Sequence, residues 1–386
     1  MTIIRKKSGK KGNFWAKLHR PFFVIAPMAN VTDSVFRGLF AKYGKPDVMW
    51  TEFVSADGLA SAGKKNLLKD LKYSEKERPI VTQLFTGHPE EMKIAAKIVA
   101  DLGFDGLDIN MGCPDKAVVR QGGGSALIKD PVQAIRVLQA AREGVKHKNP
   151  PPPYGRHPLF QRGNPASDSP FEKGGARRAG DFPVSIKTRL GYGKIDLDWI
   201  KLLLEQRLPA LTIHLRTKKE MSDVSAHWEI MPEIIKLRDE ISPETLIIGN
   251  GDIESLEQAK AFAIKYGCDG VMIGRGIFGK PWFFNQASFV AKETRGKQIS
   301  NIEYQISDHV TPKDRLKILV EHTKLFEKTF KNVKSFDIMK KHFKAYVSGW
   351  DGAKELRIKL FEAKNAKGVD KIIKEYLNLR AANDGV

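Results

Sequence analysis

The chain has 386 residues, of which 41% are hydrophobic and 28% charged, as in an ordinary globular protein. Its formal net charge of +20 favours a polyanionic partner, although a charged surface that only maintains solubility gives the same excess. Two cysteines, Cys113 and Cys268, exclude a disulfide framework and are typical of a reducing cytoplasm, and no apolar run reaches the roughly 20 residues that cross a bilayer.

The first predicted segment is a basic N-terminal arm, residues 1–20. It contains seven lysines and arginines and no acidic residue. No apolar stretch follows it, so it lacks the pattern of a secretory signal. We expect an arm that contacts RNA or stays solvated.

Residues 21–295 alternate short apolar runs with helical patterns. Most of the runs are continuously apolar, which is typical of parallel strands buried on both faces. Eight such units in sequence predict a TIM (β/α)8 barrel, while a doubly wound sheet would give a similar alternation. The predicted strands are residues 22–26, 48–51, 80–84, 106–109, 184–187, 210–214, 245–249 and 270–273.

Two further regions differ from this pattern. Residues 146–180 contain seven prolines and five glycines and predict a flexible insertion after the fourth helix. Residues 305–386 predict a small helical domain, with Thr311 as the N-cap and Pro312 as the first residue of its first helix. From residue 311 onward this region has 18 basic and 10 acidic residues, an excess that a solvated surface would also explain.

In a TIM barrel the reactive groups come from the carboxyl ends of the strands and the loops that follow them. Predicted strands 7 and 8 end in Asn250-Gly251-Asp252 and Gly274-Arg275-Gly276. Glycine lets backbone N–H groups approach an anion closely, and arginine matches phosphate oxygens. These two loops therefore predict a phosphate site.

Three side chains at other strand ends are candidates for chemistry. Lys187 would place a positive charge in the mouth, and His214 would donate to a phosphate or ring, although each also fits a purely structural role. Cys113 follows strand 4 on the active face, whereas Cys268 precedes strand 8 on the opposite face and is interpreted as structural. A thiol with an ordinary pKa of about 8.5 is mostly protonated at neutral pH, so Cys113 suits proton donation.

Seven stretches in this order resemble the tRNA-dihydrouridine synthases. The resemblance implies a TIM barrel that holds FMN, with the C-terminal helices recognising tRNA. Cys113 matches the catalytic cysteine of the family, while Asn30 stands where glycine is common. The matching stretches are residues 26–33, 83–85, 110–114, 187–191, 213–217, 250–253 and 274–276. The cofactor-binding residues that the resemblance implies are Pro27, Met28, Ala29, Gln83, Asn110, Lys187, His214, Asn250, Gly251, Asp252, Gly274 and Arg275.

The resemblance also implies a reaction. NADPH (or NADH) would reduce FMN, which would give hydride to C6 of a uracil ring while Cys113 protonates C5. We expect a cytoplasmic monomer that binds tRNA and neither metal nor membrane. Two alternatives are an FMN-dependent dehydrogenase of a free pyrimidine, like the dihydroorotate or dihydropyrimidine dehydrogenases, and an RNA-binding barrel without turnover.

Overall fold

Eight parallel strands form a closed barrel in the computed structural model, which describes residues 13–146, 182–285 and 310–383. Each strand pairs with its neighbours in sequence, and the ring closes where β1 pairs with β8 and where Val24 bridges Val48 beside β2. The predicted TIM barrel is therefore confirmed. The strands are β1 Phe22–Ile25, β2 Met49–Ser55, β3 Ile80–Phe85, β4 Gly106–Met111, β5 Val184–Arg189, β6 Ala210–His214, β7 Leu246–Asn250 and β8 Gly270–Ile273.

Helices surround this barrel and begin at its active face. Several start with an acidic N-cap: Asp33, for example, accepts the N–H groups of Val35 and Phe36 at the start of α1. The barrel helices are α1 Ser34–Tyr43, α2 Ala56–Ala60, α3 Lys64–Leu67, α4 Pro89–Asp101, α5 Lys116–Arg120, α6 Pro131–Gly144, α7 Leu197–Glu205, α8 Met231–Ile241 and α9 Leu256–Tyr266.

The lower half of the barrel interior is apolar. Alternate residues of six strand segments meet there, because side chains on a strand alternate between the inside and the outside. Trp15, on the 3-10 helix Phe14–Lys17, closes this end and packs against the rings of Phe22 and Trp50. This segment belongs to the predicted basic arm, of which residues 1–12 lie outside the described residues.

A helical domain follows the barrel and shares a core with it. Val35 of α1 lies in the same apolar cluster as the helices of this domain, and Phe36 contacts the His342 ring at 5.6 Å between centroids. The predicted helix start at Thr311 is confirmed, since its side chain accepts the N–H of Asp314. The helices are α10 Pro312–Phe330, α11 Met339–Tyr346, α12 Ala353–Glu362 and α13 Ala366–Asn383.

Several strands run further at their carboxyl ends than the sequence predicts. β4 continues to Met111 and β5 to Arg189, two residues beyond the predicted ends. The extra residues are polar or precede a turn, yet they pair in the sheet. The predicted insertion, residues 146–180, lies outside the described residues except for Lys146. None of the described helices is long and apolar enough to span a membrane.

The burial of Trp15 generates a prediction about stability. Its side chain is 3% exposed, so Trp15→Ala leaves a large cavity at the base of the barrel. We expect the free energy of unfolding, measured by denaturant titration, to fall by about 3–5 kcal/mol. Lys17→Ala on the same short helix is the matched control and should change it by less than about 0.5 kcal/mol. A change for Trp15→Ala as small as that of the control would contradict the packing role.

Candidate active site

Polar side chains occupy the barrel interior at its carboxyl end. The register places these residues side by side: Gln83 is opposite Asp108, Asn110 is opposite Lys187, and His214 is opposite Asn250. Strands β3 to β7 thus bring residues that are far apart in sequence to one edge of the barrel. The sheet closure, rather than any local motif, assembles this site.

A chain of hydrogen bonds runs from a buried carboxylate to the loop after β4. The Gln83 amide donates to Asp108 at 2.6 Å, and the Asn110 amide donates to Gln83 Oε1 at 2.9 Å. Asn110 Oδ1 in turn accepts the backbone N–H groups of Gly112 and Cys113 at 3.1 and 2.8 Å. Since an ionised carboxylate only accepts and a backbone N–H only donates, the two ends fix the orientation of both amides.

The loop that carries Cys113 is held from a second side. Gly124 has φ of +57°, and a Cβ there would lie 2.7 Å from the Cys113 carbonyl oxygen. Ser125 N–H donates to the same oxygen at 2.9 Å. A residue with a side chain at Gly124 would be strained and would push the loop away, so glycine is required.

The thiol of Cys113 lies among cationic groups but stays protonated. Burial raises the pKa of the thiol above its ordinary value. The positive charges of Lys187 and Arg189 lower this pKa, but their effect is smaller than that of burial. Arg189 is buried and is fixed by the carbonyl oxygens of Gly112 and Thr217, both at 2.9 Å. The site therefore holds a neutral thiol beside fixed positive charges.

Lys187 is the second titratable group of this cluster. Burial lowers its pKa to about 8, with help from the charge of Arg189, while Asp108 and Cys113 act in the opposite direction. An ammonium with this pKa is mostly charged at neutral pH and becomes neutral in mildly alkaline solution. Lys187 can therefore stabilise an anionic group in the mouth at neutral pH.

Across the mouth, two arginines share one carboxylate. Arg216 and Arg275 both bind Asp252, the latter at 3.1 Å. Burial raises the pKa of Asp252, but the hydrogen bonds from Arg216 and the Ala226 N–H, together with the charges of Arg216 and Arg275, hold the pKa below its ordinary value. The Asp252 carboxylate would itself repel a phosphate. It contributes to anion binding only by positioning the two arginines.

His214 completes this side of the site in its neutral form. Burial holds its pKa well below the ordinary value, and nearby cations including Lys187 and Arg275 act in the same direction. Arg216 Nη1 lies 3.2 Å from His214 Nε2 and can only donate, so the imidazole proton is on Nδ1. His214 therefore offers a neutral N–H donor.

Backbone donors gather at the same place. In the part of the chain that the structure describes, the N–H groups of Gly251, Asp252, Gly274 and Arg275 donate to no protein group. Gly251 has φ of +140°, a conformation that side chains rarely adopt. These N–H groups, two arginines and a neutral imidazole form a donor set suited to a phosphate.

The structure brings together most of the predicted site residues. Met28 lies beside this donor set, because its sulfur is 3.9 Å from the position of a Cβ on Gly274. Asn30, where the family commonly has glycine, adopts φ of 55°, which asparagine tolerates better than most residues. Asn250 donates its amide to the Met272 carbonyl at 2.8 Å, so it joins β7 to β8 beneath the loops.

Three buried charged residues of this site received no role from the sequence: Asp108, Arg189 and Arg216. Asp108 and Arg189 lie two positions from Asn110 and Lys187 on the same strands, so they face the same side. That two-residue spacing is the signal that could have identified them. Arg216 follows the end of β6, and only the tertiary structure places it against His214 and Asp252.

Comparison with known proteins bears on the same residues. The family model of the dihydrouridine synthases matches residues 24–151 and 175–382. A "Probable tRNA-dihydrouridine synthase" of Staphylococcus aureus is 38% identical over 95% of this chain and 96% of its own. The chain belongs to the dihydrouridine synthase family. A "Probable tRNA-dihydrouridine synthase 2" of Bacillus subtilis is 37% identical over 94% and 96% of the two chains.

Membership of the family confirms the resemblance that the seven sequence stretches indicate. Among solved structures, a histamine dehydrogenase from a Rhizobium species superposes with a TM-score of 0.45 at 12% identity, over 78% of this chain and 48% of that one. A likeness of that size supports no conclusion. The fold assignment therefore depends on the strand order and closure of this barrel.

One trio of possible metal ligands among the described residues follows the carboxyl ends of β2 and β3. The ligand atoms of Asp57, His88 and Glu91 are within 4.8 Å of one another. His88 and Asp57 form an ion pair at 2.5 Å, which accounts for their proximity without an ion. The expected absence of a metal in this family member stays a prediction.

The pair of Asp108 and Lys187 yields a test of the site's electrostatics. In Asp108→Asn the oxygen of the new amide can still accept the hydrogen bond from Gln83. The Ser185 hydroxyl can donate to the Leu107 carbonyl instead, which is 3.4 Å away. The substitution therefore removes mainly the negative charge. Because the negative charge of Asp108 raises the pKa of Lys187, we expect that pKa to fall below its present value of about 8.

The measurement is the rate of Lys187 acetylation as a function of pH, followed by mass spectrometry, since only the neutral amine reacts. Ser185→Ala removes a hydrogen bond to Asp108 but keeps its charge, so its midpoint should stay near that of the unchanged protein. A midpoint that stays constant or rises in Asp108→Asn would show that the two charges do not interact.

Proposed function

We propose that this protein reduces uridine in tRNA to 5,6-dihydrouridine, with FMN as its cofactor and NADPH or NADH as the reductant. Family membership supports the activity, and two relatives named as probable tRNA-dihydrouridine synthases match nearly the whole chain. The observation that carries the proposal is the neutral Cys113 thiol beside Lys187 and Arg189, in the same mouth as a phosphate donor set.

The described residues fit FMN by their chemistry. The N–H groups of Gly251, Asp252, Gly274 and Arg275, together with His214, would hold its phosphate. Pro27, Met28 and Ala29 would line the ring. Gln83, Asn110 and Lys187 would bind its polar edge. The side-chain amides of Gln83 and Asn110 can do so because each has a second N–H that is not used in the hydrogen bonds described above. Bound and reduced FMN supplies a hydride for C6 of the uracil ring.

Cys113 completes the reduction. Hydride at C6 leaves a negative charge that C5 and its neighbouring carbonyl share, and a proton must arrive at C5. The thiol is suited to give it, because its pKa is raised and it is the protonated form that donates. Arg189 and Lys187 stabilise the thiolate that remains until solvent returns the proton.

The tRNA must present a uridine that has left its stacked position. Basic residues of both domains lie where the two domains touch: Lys65 is on α3, and Lys69, just after that helix, contacts the Val333 carbonyl of the helical domain at 3.5 Å. Lys331 lies two residues before Val333 and is exposed. We assign this junction to tRNA phosphates.

The direct test is incubation of the flavin-loaded protein with unmodified tRNA and NADPH, followed by mapping of dihydrouridine. Formation at defined positions would support the proposal. Reduction of free uracil or orotate, without any product in tRNA, would instead identify a dehydrogenase of free pyrimidines and contradict it.

Cys113→Ala tests the proton donor. The substitution removes the thiol but none of the groups assigned to FMN, so flavin content and flavin reduction by NADPH should be unchanged. Dihydrouridine formation should fall by about 10²–10⁴-fold, the usual loss on removal of a general acid. Cys268→Ala is the control, since Cys268 is buried before β8. Turnover of Cys113→Ala near that of the control would reject the role.

Lys65→Ala combined with Lys331→Ala tests the tRNA surface. Each lysine that leaves a phosphate reduces the salt dependence of binding, so the slope of log K against log salt should become shallower by about two. The measurement is the tRNA dissociation constant at several salt concentrations. Lys201→Ala, on the outer helix α7, should leave the slope unchanged. An unchanged slope in the double variant would exclude the junction.

A further inference from the structure

A buried lysine of the helical domain reaches into the barrel. Lys334 follows α10, and its ammonium lies 2.7 Å from Glu52 and 2.9 Å from Asp70. Lys334 and Glu52 side chains are only 9% and 7% exposed. Glu52 is on β2 and Asp70 follows α3, so one side chain of the helical domain binds two carboxylates of the barrel.

The same glutamate holds the loop after β1. One Glu52 oxygen binds Lys334, and the other accepts the backbone N–H of Asn30. Asn30 is at the turn of the loop that contains Pro27, Met28 and Ala29, the residues assigned to the flavin. A single carboxylate thus connects the helical domain to this loop through two hydrogen bonds.

The charges of this connection depend on each other. Burial acts to lower the pKa of Lys334, but Glu52 and Asp70 outweigh it and raise the pKa, so the lysine stays charged. Burial and the charge of Glu52 raise the pKa of Asp33, at the start of α1, to about 6, while Lys334 opposes them. Removing the ammonium would leave Glu52 buried near other carboxylates, a costly arrangement.

Attachment of the two domains does not require this bond. The shared apolar cluster around Val35 holds them together, and Lys42 of α1 forms an ion pair with Glu321 of α10 at 2.7 Å. The Lys42 side chain is 56% exposed, and its carboxylate partner does not contact the loop after β1. The bond of Lys334 differs because it is buried and continues to Asn30.

We propose that Lys334 and Glu52 are positioning residues, through which the helical domain fixes the loop of residues 26–33 against the flavin. The inference rests on the proposed function and adds a coupling to it. Binding of tRNA to the helical domain would then set the loop for the reaction. The rate of uridine reduction, more than the affinity for tRNA, depends on this bond.

The test compares Lys334→Met, Lys334→Arg and the double variant Lys334→Met with Glu52→Gln, all as full-length, flavin-loaded protein. The double variant removes both charges and so avoids an unpaired buried carboxylate. Lys42→Met is the matched control, because it breaks an ion pair between the same domains. Three quantities are measured: hydrogen–deuterium exchange of the peptide covering residues 26–33, the rate of single-turnover reduction, and the tRNA dissociation constant.

We expect Lys334→Met and the double variant to accelerate hydrogen–deuterium exchange in this peptide. Both should also slow single turnover about tenfold or more, because small displacements of reacting groups can lower a reaction rate up to about 100-fold. The tRNA dissociation constant should stay within about threefold, because phosphate contacts at the surface supply most of that affinity. Lys334→Arg should restore part of the rate, and Lys42→Met should match the unchanged protein.

Two results would overturn the coupling. One is unchanged exchange of residues 26–33 in both Lys334→Met and the double variant. The other is a loss of tRNA affinity in proportion to the loss of rate, which would make Lys334 a docking or RNA contact only. If the unchanged protein forms no dihydrouridine at all, the proposed function fails. The exchange comparison needs no substrate, so it still decides whether the bond between Lys334 and Glu52 holds the loop.

Discussion

The structure of the site depends on one directed chain of hydrogen bonds, from the Asp108 carboxylate through Gln83 and Asn110 to the N–H of Cys113. Its direction is fixed because the first group can only accept and the last can only donate. Both amides are buried, so neither can turn without leaving a polar group unpaired, which costs about 1–3 kcal/mol. The chain joins β3 to β4 and holds the cysteine loop over the barrel interior.

Charge is distributed around that chain in two clusters. Beside Cys113 the charge of Lys187 is compensated by Asp108 deep in the barrel, and at the opposite loops Arg216 and Arg275 are compensated by Asp252. Asp252 positions its two arginines through ion pairs, whereas Asp108 acts on Lys187 through its charge. A neutral His214 lies between the clusters, since burial and the surrounding cations prevent its protonation. The mouth is therefore positive and rich in donors, as an anionic cofactor and a polyanionic substrate require.

The helical domain is connected to the barrel by apolar packing and by a buried charge. It shares an apolar cluster with α1, and through Lys334 it reaches the carboxylate that holds the loop after β1. Because packed interfaces have discrete arrangements rather than continuously variable ones, a contact of this kind transmits the position of one domain to a loop of the other.

The sequence by itself determined the eight strand–helix units and the strand ends that carry polar residues, because continuous apolar runs, turns and helix caps are local signals. It also determined the family, through seven short stretches in order, and it placed Cys113 on the active face. Tertiary structure alone decided which charges meet. Arg216 binds Asp252, 36 residues away, and Lys334 binds Glu52, 282 residues away. Such pairs depend on barrel closure and domain docking, and no local pattern specifies contacts between residues so distant in the chain.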